Sequence, residues 1–351
     1  MEFSVFSLMP WPHGGASQQA CADALAQLTT ADSQGYAGAW IAEHPLSPYG
    51  IGPSTHLAAA HLSARTSRIR IGTHGALRPG FHPLRLAEEI AMLDIMSGGR
   101  FDWGLACSDP VTDSARSHPE GRLVFREQLE IVKRAWTGQT FSYEGEFFQT
   151  PEVVCLPTPV QQPHPPIWIT APSPTTLEWA AQNDYPMLSD AFAPTDRIAE
   201  QRAVYLAAGE EAGHPVARHR LPVVRLLFVG ETTAKAREQV ASGLLGYYRA
   251  LSRMASNRQS DAESPEHNAF HETLGRDGIG PDAGPDDFLD FLFENCAIVG
   301  DEACCCDKIA ELDERIGLTS LICWQNFADL SHEASLASQQ RLIERVAPSF
   351  S

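Results

Sequence analysis

Short apolar runs alternate along the chain with longer stretches in which apolar residues recur every three or four positions. The runs have the length and composition of buried parallel strands, and the longer stretches have the period of amphipathic helices. This alternation predicts parallel strands that are joined by crossover helices. The predicted strands cover residues 3–8, 38–42, 69–73, 101–105, 167–170, 186–188, 223–229 and 320–324.

The predicted helices cover residues 18–34, 57–65, 84–96, 122–136, 175–182, 196–211, 233–254 and 302–316. Ser17, Thr232 and Asp301 suit helix N-caps, and Gly35 and Gly317 suit C-caps. Eight strand–helix units favour a closed (β/α)8 TIM barrel with a functional site at the carboxyl ends of its strands. A doubly wound sheet is less favoured, because PWPHGGAS rather than GxGxxG follows the first strand.

We expect a single domain over residues 1–351, because barrels of this kind reach this length. Two segments interrupt the alternation. Residues 138–166 are rich in turn formers and aromatic residues, and they predict a hairpin excursion before the fifth strand. Residues 255–287 combine acidic residues, Gly and Pro, and they predict a long mobile loop near the seventh strand. This loop is either a lid over the barrel mouth or a surface insertion.

The charge balance bears on possible partners. The chain has 44 acidic and 26 basic residues, a formal net charge of -18, and its basic residues form no cluster. Nucleic acid and anionic membranes are therefore poor partners. The first residues, MEFSVFSLMP, show no basic leader, and no apolar stretch reaches about 18 residues. We expect a cytoplasmic protein.

The eight cysteines do not predict a metal site. The sequence has no CxxC pair, and Cys304, Cys305 and Cys306 are consecutive. Adjacent residues on a helix point about 100° apart, so three in a row cannot converge on one tetrahedral ion. We expect reduced, mostly buried thiols.

Two long passages carry a family resemblance. Residues 67–105, SRIRIGTHGALRPGFHPLRLAEEIAMLDIMSGGRFDWGL, resemble the bacterial luciferase-like family of flavin-dependent monooxygenases. The passage PTPVQQPHPPIWITAPSPTTLEWAAQNDYPMLSD resembles the luciferase branch of that family. The resemblance implies a TIM barrel with an excursion before strand 5 and a long loop near strand 7. It also implies a homodimer.

The resemblance further implies a cofactor and a reaction. The family uses FMN, usually as reduced flavin that a separate NAD(P)H flavin reductase supplies. Oxygen then gives a flavin C4a-hydroperoxide, which oxygenates a small organic substrate. We expect a carbonyl compound or an electron-rich natural product as the substrate. This two-component monooxygenase is the leading prediction.

The stretch IAEHPLSPYG places an acid and an imidazole directly after the second predicted strand. The family typically carries Glu-His-His there; Glu43 and His44 match the first two positions, and Pro45 replaces the third. The resemblance implies that His44 moves protons beside the flavin. An imidazole suits that task, because its ordinary pKa is about 6.5. Glu43 either orients the ring or pairs with a base such as Arg78.

The resemblance implies cofactor contacts at two further places. His74 and Gly75 end the third strand, where the family's backbone supports the flavin ring; His74 contacts flavin or substrate, or is an ordinary rim histidine. Ser173 and Thr176 stand where the family holds the FMN phosphate, with hydroxyl and backbone N–H groups at a helix start. The alternative for Ser173 is that it only caps that helix.

One departure from the family concerns Ala106 and Cys107, which follow the fourth strand in GLACSDP. The family commonly has an arginine in this turn that pairs with the phosphate, and Cys107 stands in its place. By resemblance we include both residues in the cofactor site. Arg122, which opens the next helix, is expected to compensate, with Arg126 as the fallback.

Two other functions stay open. The first is a deazaflavin (F420)-dependent dehydrogenase, because that cofactor shares this barrel family; the APSPTTLEWAA segment argues against it. The second is a noncatalytic flavin-binding partner subunit, which Cys107 and Pro45 motivate. The retained His44 favours catalysis, because a purely structural subunit has no need of it.

Overall fold

The computed structural model describes residues 1–11, 15–43, 50–77, 81–106, 121–170, 173–214, 221–256, 284–327 and 330–350. Its strands are β1 (Glu2–Ser7), β2 (Gly38–Ala42), β3 (Arg70–Ala76), β4 (Phe101–Ala106), β5 (Phe141–Glu144), β6 (Gln149–Val153), β7 (Ile167–Thr170), β8 (Met187–Leu188), β9 (Val223–Val229), β10 (Ala297–Gly300) and β11 (Ser320–Trp324).

Nine of these strands form one curled parallel sheet in the order β10-β9-β11-β1-β2-β3-β4-β7-β8. The other two, β5 and β6, form an antiparallel hairpin. This hairpin confirms the excursion predicted before the fifth barrel strand. All eight predicted strands are present in the nine-stranded sheet. A parallel sheet brings all its carboxyl ends to one edge, as the predicted site requires.

The structure corrects the predicted eight-stranded ring by adding β10. This strand was missed because its AIVG sequence directly follows the largely apolar segment FLDFLFENC, and no change of period marks the boundary between them. Within the described residues, the hydrogen-bonded order ends at β8 and β10. Near this seam the Val224 amide donates to the Ser189 hydroxyl, at 2.9 Å. Ser189 directly follows β8 and Val224 lies on β9, the neighbour of β10, so a side chain links the end of β8 to β9 there.

The helices are α1 (Ser17–Gln34), α2 (Thr55–Arg65), α3 (Pro83–Ser97), α4 (Gly121–Ala135), α5 (Pro174–Gln182), α6 (Thr195–Glu211), α7 (Thr233–Ser256), α8 (Pro285–Phe291), α9 (Glu302–Ile316) and α10 (His332–Arg341). The sequence predicted all of them except α8 and α10. Helix α8 begins inside the segment that was predicted as a loop, and residues 257–283 of that segment lie outside the described residues.

The predicted helix ends are largely right. The Asp301 carboxylate accepts from the Cys304 amide at 3.0 Å and caps α9, and Gly35 and Gly317 adopt positive φ at the ends of α1 and α9. The Ser17 prediction is wrong. The N-cap of α1 is Ala16, which makes no side-chain cap bond, and Ser17 is already the first helical residue.

The core has two layers, as expected when strands are buried on both faces. One layer lies between the sheet and its helices and includes Ile41 and Leu105. The other fills the inside of the curl and includes Trp40 and Trp324. Gly72 makes room for Trp40, since a Cβ at Gly72 would lie 2.2 Å from the indole ring. Within the described residues, no helix has the length and apolarity of a membrane span.

Candidate functional site

The site is built at the carboxyl edge of the sheet. Ala42 pairs with His74 across β2 and β3, while Ala106 pairs with Ala76 on one side and Thr170 on the other. Helix α5 begins just beyond Thr170. Most of the predicted site residues that the structure describes therefore share this edge: Glu43, His74, Gly75, Ala106, Ser173 and Thr176.

His74 spans the inside of the curl. Its Nε2 lies 2.6 Å from the Thr170 hydroxyl oxygen on β7, although β4 lies between the two strands. The β4 residue paired with His74 is Gly104, whose missing side chain leaves this path open. A Cβ at Gly104 would lie 2.0 Å from the Thr73 carbonyl oxygen, so the position accepts only glycine. The imidazole is thus held across the mouth of the sheet.

Glu43 is fixed against the end of β3. Its backbone amide donates to the His74 carbonyl at 3.1 Å. Its carboxyl group packs on Gly75, where an added Cβ would lie 3.0 Å from the Glu43 Cδ. His44 and Arg78 lie outside the described residues, so both roles predicted for Glu43 stay open.

The loop after β1 anchors the segment that returns from His44. Met9 has φ 49°, a left-handed conformation that is rare for a residue with a side chain. Its carbonyl accepts from the Ile51 amide at 2.9 Å. A Cβ at Gly50 would lie 2.6 Å from the Leu8 carbonyl oxygen. Sequence reasoning missed this contact, although Gly50 marked a close approach of two backbones.

Ser173 and Thr176 form a pair of hydroxyls at the start of α5. Ser173 occupies the N-cap position, but its side chain makes no cap hydrogen bond. Its Oγ lies 3.0 Å from the Thr176 Oγ1. Thr176 is buried and Ser173 is half-buried. Two adjacent hydroxyls at a helix N-terminus suit an anion, and the phosphate role of this pair stays a prediction.

The predicted arginines lie on α4. The Arg126 guanidinium is 5.0 Å from the centre of the Trp179 ring on α5 and is thereby engaged. Farther along α4, the Lys133 ammonium donates at 3.0 Å to the hydroxyl of Tyr185, which follows α5. Because both contacts advance along both segments, α4 and α5 run in the same direction. Arg122 is exposed and lies one turn nearer to the carboxyl edge than Arg126. Cys107 lies outside the described residues.

Below His74, an ion pair with a buried carboxylate supports the aromatic interior. Arg70 donates to both oxygens of Asp102, at 2.7 and 2.9 Å, and the Trp168 indole donates to Asp102 at 3.3 Å. Trp168 meets Trp40 edge to face, with centroids 5.6 Å apart. Burial raises the pKa of Asp102, and the contact with Arg70 offsets part of that rise. Sequence reasoning missed this pair, since charged residues inside strands read as exposed.

The aromatic residues of the strands lie on both faces of the sheet. Trp103 packs between sheet and helices, with its ring 5.5 Å from that of Trp136. Phe6 and Trp324 do face each other, with centroids 6.0 Å apart. The inside of the curl is therefore lined by aromatic rings below a polar edge. This arrangement can seat a flat ring system and hold polar groups at its border.

Comparison with known proteins identifies the family. The family model described as luciferase-like monooxygenase matches residues 1–320. The oxygenase component of a flavin-dependent trigonelline monooxygenase from Acinetobacter baylyi is 30% identical over 254 residues, which cover 71% of this chain and 70% of that protein.

Solved structures show the same fold. The oxygenating constituent of 3,6-diketocamphane monooxygenase from Pseudomonas putida, a type II Baeyer-Villiger enzyme in complex with FMN, superposes with a TM-score of 0.80 at 24% identity and covers 99% of this chain and 98% of its own. The F420-dependent tetrahydromethanopterin reductase from Methanopyrus kandleri gives a TM-score of 0.70 at 19% identity, with 100% and 99% covered. Because the family model spans residues 1–320, this chain belongs to the luciferase-like monooxygenases, a family of oxidoreductases.

Proposed function

We propose that this chain is the oxygenase component of a two-component, FMN-dependent monooxygenase. A separate NAD(P)H flavin reductase supplies reduced FMN, and a small organic molecule is oxygenated. The observation that carries this proposal is the Ser173–Thr176 hydroxyl pair, which lies on the same edge as Glu43 and His74. Similarity to a relative named as an oxygenase component also supports it.

The residues of this edge fit FMN. The phosphate would meet the hydroxyls of Ser173 and Thr176, and Arg122, exposed at the start of α4, is the cation proposed to pair with it. The isoalloxazine would be held at this carboxyl edge, beside His74 and Gly75. Reduced FMN, when bound, supplies the electrons that activate dioxygen. The missing turn arginine predicts modest affinity, which suits a cofactor that diffuses in from a reductase.

The protein's own task is to position groups and to move a proton. His44 gives and takes that proton, because an imidazole changes charge near neutral pH. Glu43 holds one end of the segment against β3, and Met9 holds the returning end at Ile51. The aromatic interior keeps water away from the reacting edge, which limits wasteful release of peroxide. The same resemblance implies a homodimer, which sedimentation velocity would test.

The test mixes the protein and photoreduced FMN with air-saturated buffer and follows flavin reoxidation and hydrogen peroxide release. We expect slower peroxide release than from free flavin. In His44→Ala, flavin affinity should be preserved while peroxide release returns toward the free-flavin rate. His61→Ala, an exposed histidine on α2, is the matched control. Unchanged behaviour of His44→Ala would remove His44 from the mechanism.

The two alternatives give different outcomes in the same assay. Tight binding of reduced F420 without binding of FMN would favour a dehydrogenase, which the fold shared with an F420-dependent reductase keeps as the second candidate. Absence of binding to any flavin would favour a noncatalytic partner subunit.

A further inference from the structure

A polar cavity lies outside the carboxyl edge where FMN is proposed to bind. It is beside the gap between β8 and β10, where the hydrogen-bonded order of the sheet ends. It is enclosed by the start of α6, the segment that leads into β10 and one face of α9. Its volume is about 110 Å³. Organic ligands usually occupy roughly 300–1,000 Å³, so this space suits a small ion and not a flavin.

The inner wall of the cavity is a buried cation. Arg225 is 1% exposed. Its guanidinium donates to the Ala193 carbonyl at 2.8 Å and to the Thr195 hydroxyl at 3.3 Å. These bonds use two of its five N–H groups. No described carboxylate forms an ion pair with it, and Asp190 acts on it only at longer range. A buried charge without a counter-charge is costly.

A second cation faces the same space. The Lys308 ammonium donates to the Phe293 carbonyl at 2.5 Å and to the Ala297 carbonyl at 3.3 Å. A third N–H of the ammonium is left for another acceptor. Burial lowers the pKa of Lys308 and lowers that of Arg225 to about 10. Arg225 is still positive at neutral pH.

The carboxylates around the cavity lie at its outer edge. Asp196 and Glu311 are 78% and 67% exposed, and Arg315 pairs with both. Glu294 is also exposed. Solvent screens these outer charges, whereas Arg225 is shielded from it and Lys308 is half-buried. The inner wall is therefore positive within a chain whose net charge is -18.

We propose that this cavity binds a small oxyanion, a carboxylate or phosphate, between Arg225 and Lys308. The anion completes the hydrogen bonding of both side chains and supplies a counter-charge in direct contact with them. Its effect reaches the mouth of the sheet through Phe192. The Phe192 carbonyl accepts from the Cys296 thiol at 3.2 Å, and the Phe192 ring lies 5.7 Å from that of Trp324.

The experiment measures anion binding to the purified protein by calorimetry and by thermal denaturation. Sodium phosphate and sodium acetate are titrated against sodium chloride at constant ionic strength. Inorganic phosphate also fits the proposed flavin site, so each titration is repeated in the Ser173→Ala/Thr176→Val double variant. We expect at least one oxyanion to raise the melting temperature above the chloride value, with the rise growing with the logarithm of concentration. The double variant should keep this effect.

Charge removal identifies the groups that bind. Lys308→Met should weaken binding about tenfold or more, as expected for losing a hydrogen bond to a charged group. Arg225→Met should abolish anion binding. If Arg225→Met does not fold, the test rests on Lys308→Met. Lys235→Met, on exposed α7 surface, is the matched control. Stabilisation no greater than that by chloride, unchanged binding in Lys308→Met, or loss of all binding in the double variant would each overturn the proposal.

Discussion

At the residue scale, the two hydroxyls at the start of α5 give the proposed phosphate site its most direct test. Ser173→Ala and Thr176→Val should each weaken FMN binding by about tenfold, since a hydrogen bond to a charged group contributes roughly 1.5–3 kcal/mol. Riboflavin has the same ring system without the phosphate, so its affinity should not change. Fluorescence titration with both flavins measures the difference.

The control is Thr175→Val, because Thr175 lies in the same turn but is exposed. Equal losses for FMN and riboflavin would show that the hydroxyls do not contact the phosphate. No loss for either flavin would place the phosphate elsewhere on the edge.

Asp32 fixes the start of β3 through three backbone amides. Its carboxylate accepts from the Ser67 and Arg68 amides, each at 3.0 Å, and from the Ile69 amide at 2.7 Å. Burial opposes ionisation, but the three amides together outweigh burial and lower the pKa of Asp32. Asp32→Asn should destabilise the protein at neutral pH by about 1 kcal/mol, after allowance for solvent screening.

The sign of the pH dependence follows from that lowered pKa. The stabilisation by Asp32 is fully present above its unfolded-state pKa, about 3.9. It is lost as pH falls through the lower pKa of the folded protein. The gap in melting temperature between wild type and Asp32→Asn should therefore be constant near neutral pH and shrink in acid. Asp307→Asn, at an exposed position, should show no gap; a pH-independent gap for Asp32→Asn would contradict this account.

At the element scale, the contact between the loop after β1 and the segment after His44 predicts that two glycine variants, Gly50→Ala and Gly52→Ala, differ in stability. An Ala side chain at Gly50 would meet the Leu8 carbonyl at 2.6 Å, and backbone cannot easily move. At Gly52 it would meet the Met9 sulfur at 2.9 Å, which a flexible side chain can relieve. Overpacking costs about 1–3 kcal/mol, so Gly50→Ala should be the more destabilising of the two.

The same two variants test whether the contact between the loop after β1 and Gly50 positions His44. Gly50→Ala should speed peroxide release from bound reduced FMN while riboflavin affinity stays near wild type, and Gly52→Ala should behave like wild type. Thermal denaturation and the reoxidation assay together separate stability from positioning. Wild-type peroxide release in a measurably destabilised Gly50→Ala would leave the contact with a structural role only.

The elements that sequence reasoning missed share a physical cause. Helix α10 buries Ser335, Ser338 and Gln339 instead of an apolar stripe. The Ser338 hydroxyl accepts from the Gln325 amide at 3.2 Å and from the Val229 amide at 2.9 Å, so polar bonds help to hold this helix. A period search for apolar residues cannot find such a helix. Strand β10 was hidden for a different reason, because no change of period separates it from the largely apolar segment before it.

The site was partly predictable for a topological reason. Parallel strands end at one edge, so residues just after predicted strands, such as Glu43 and His74, were expected together before any coordinate was known. The Met9 conformation was not predictable, because φ depends on tertiary contacts. The Arg70–Asp102 pair was also missed, since knowing that both residues face inward requires the direction of the curl.

At the scale of the whole molecule, the net charge of -18 opposes the approach of an anionic cofactor. FMN carries a phosphate, whereas riboflavin is neutral. Salt screens long-range repulsion, and the screening length falls from about 30 Å at 0.01 M to about 8 Å at 0.15 M. The association rate constant of FMN should therefore rise about two- to fivefold over that range, while that of riboflavin stays constant. Stopped-flow quenching of flavin fluorescence measures both rates.

Arg122 tests whether the electrostatic field at the proposed phosphate site differs from the field of the whole molecule. If this exposed arginine guides the phosphate toward α5, Arg122→Met should slow FMN association most at low salt and make its rise with salt steeper. Arg134→Met, at the other end of α4, keeps the same change in net charge and should match wild type. An FMN rate that instead falls with salt in the wild type would mean that the field at the edge is positive. If the FMN association rate no longer fell with salt in Arg122→Met, the attraction of FMN would be assigned to the Arg122 side chain.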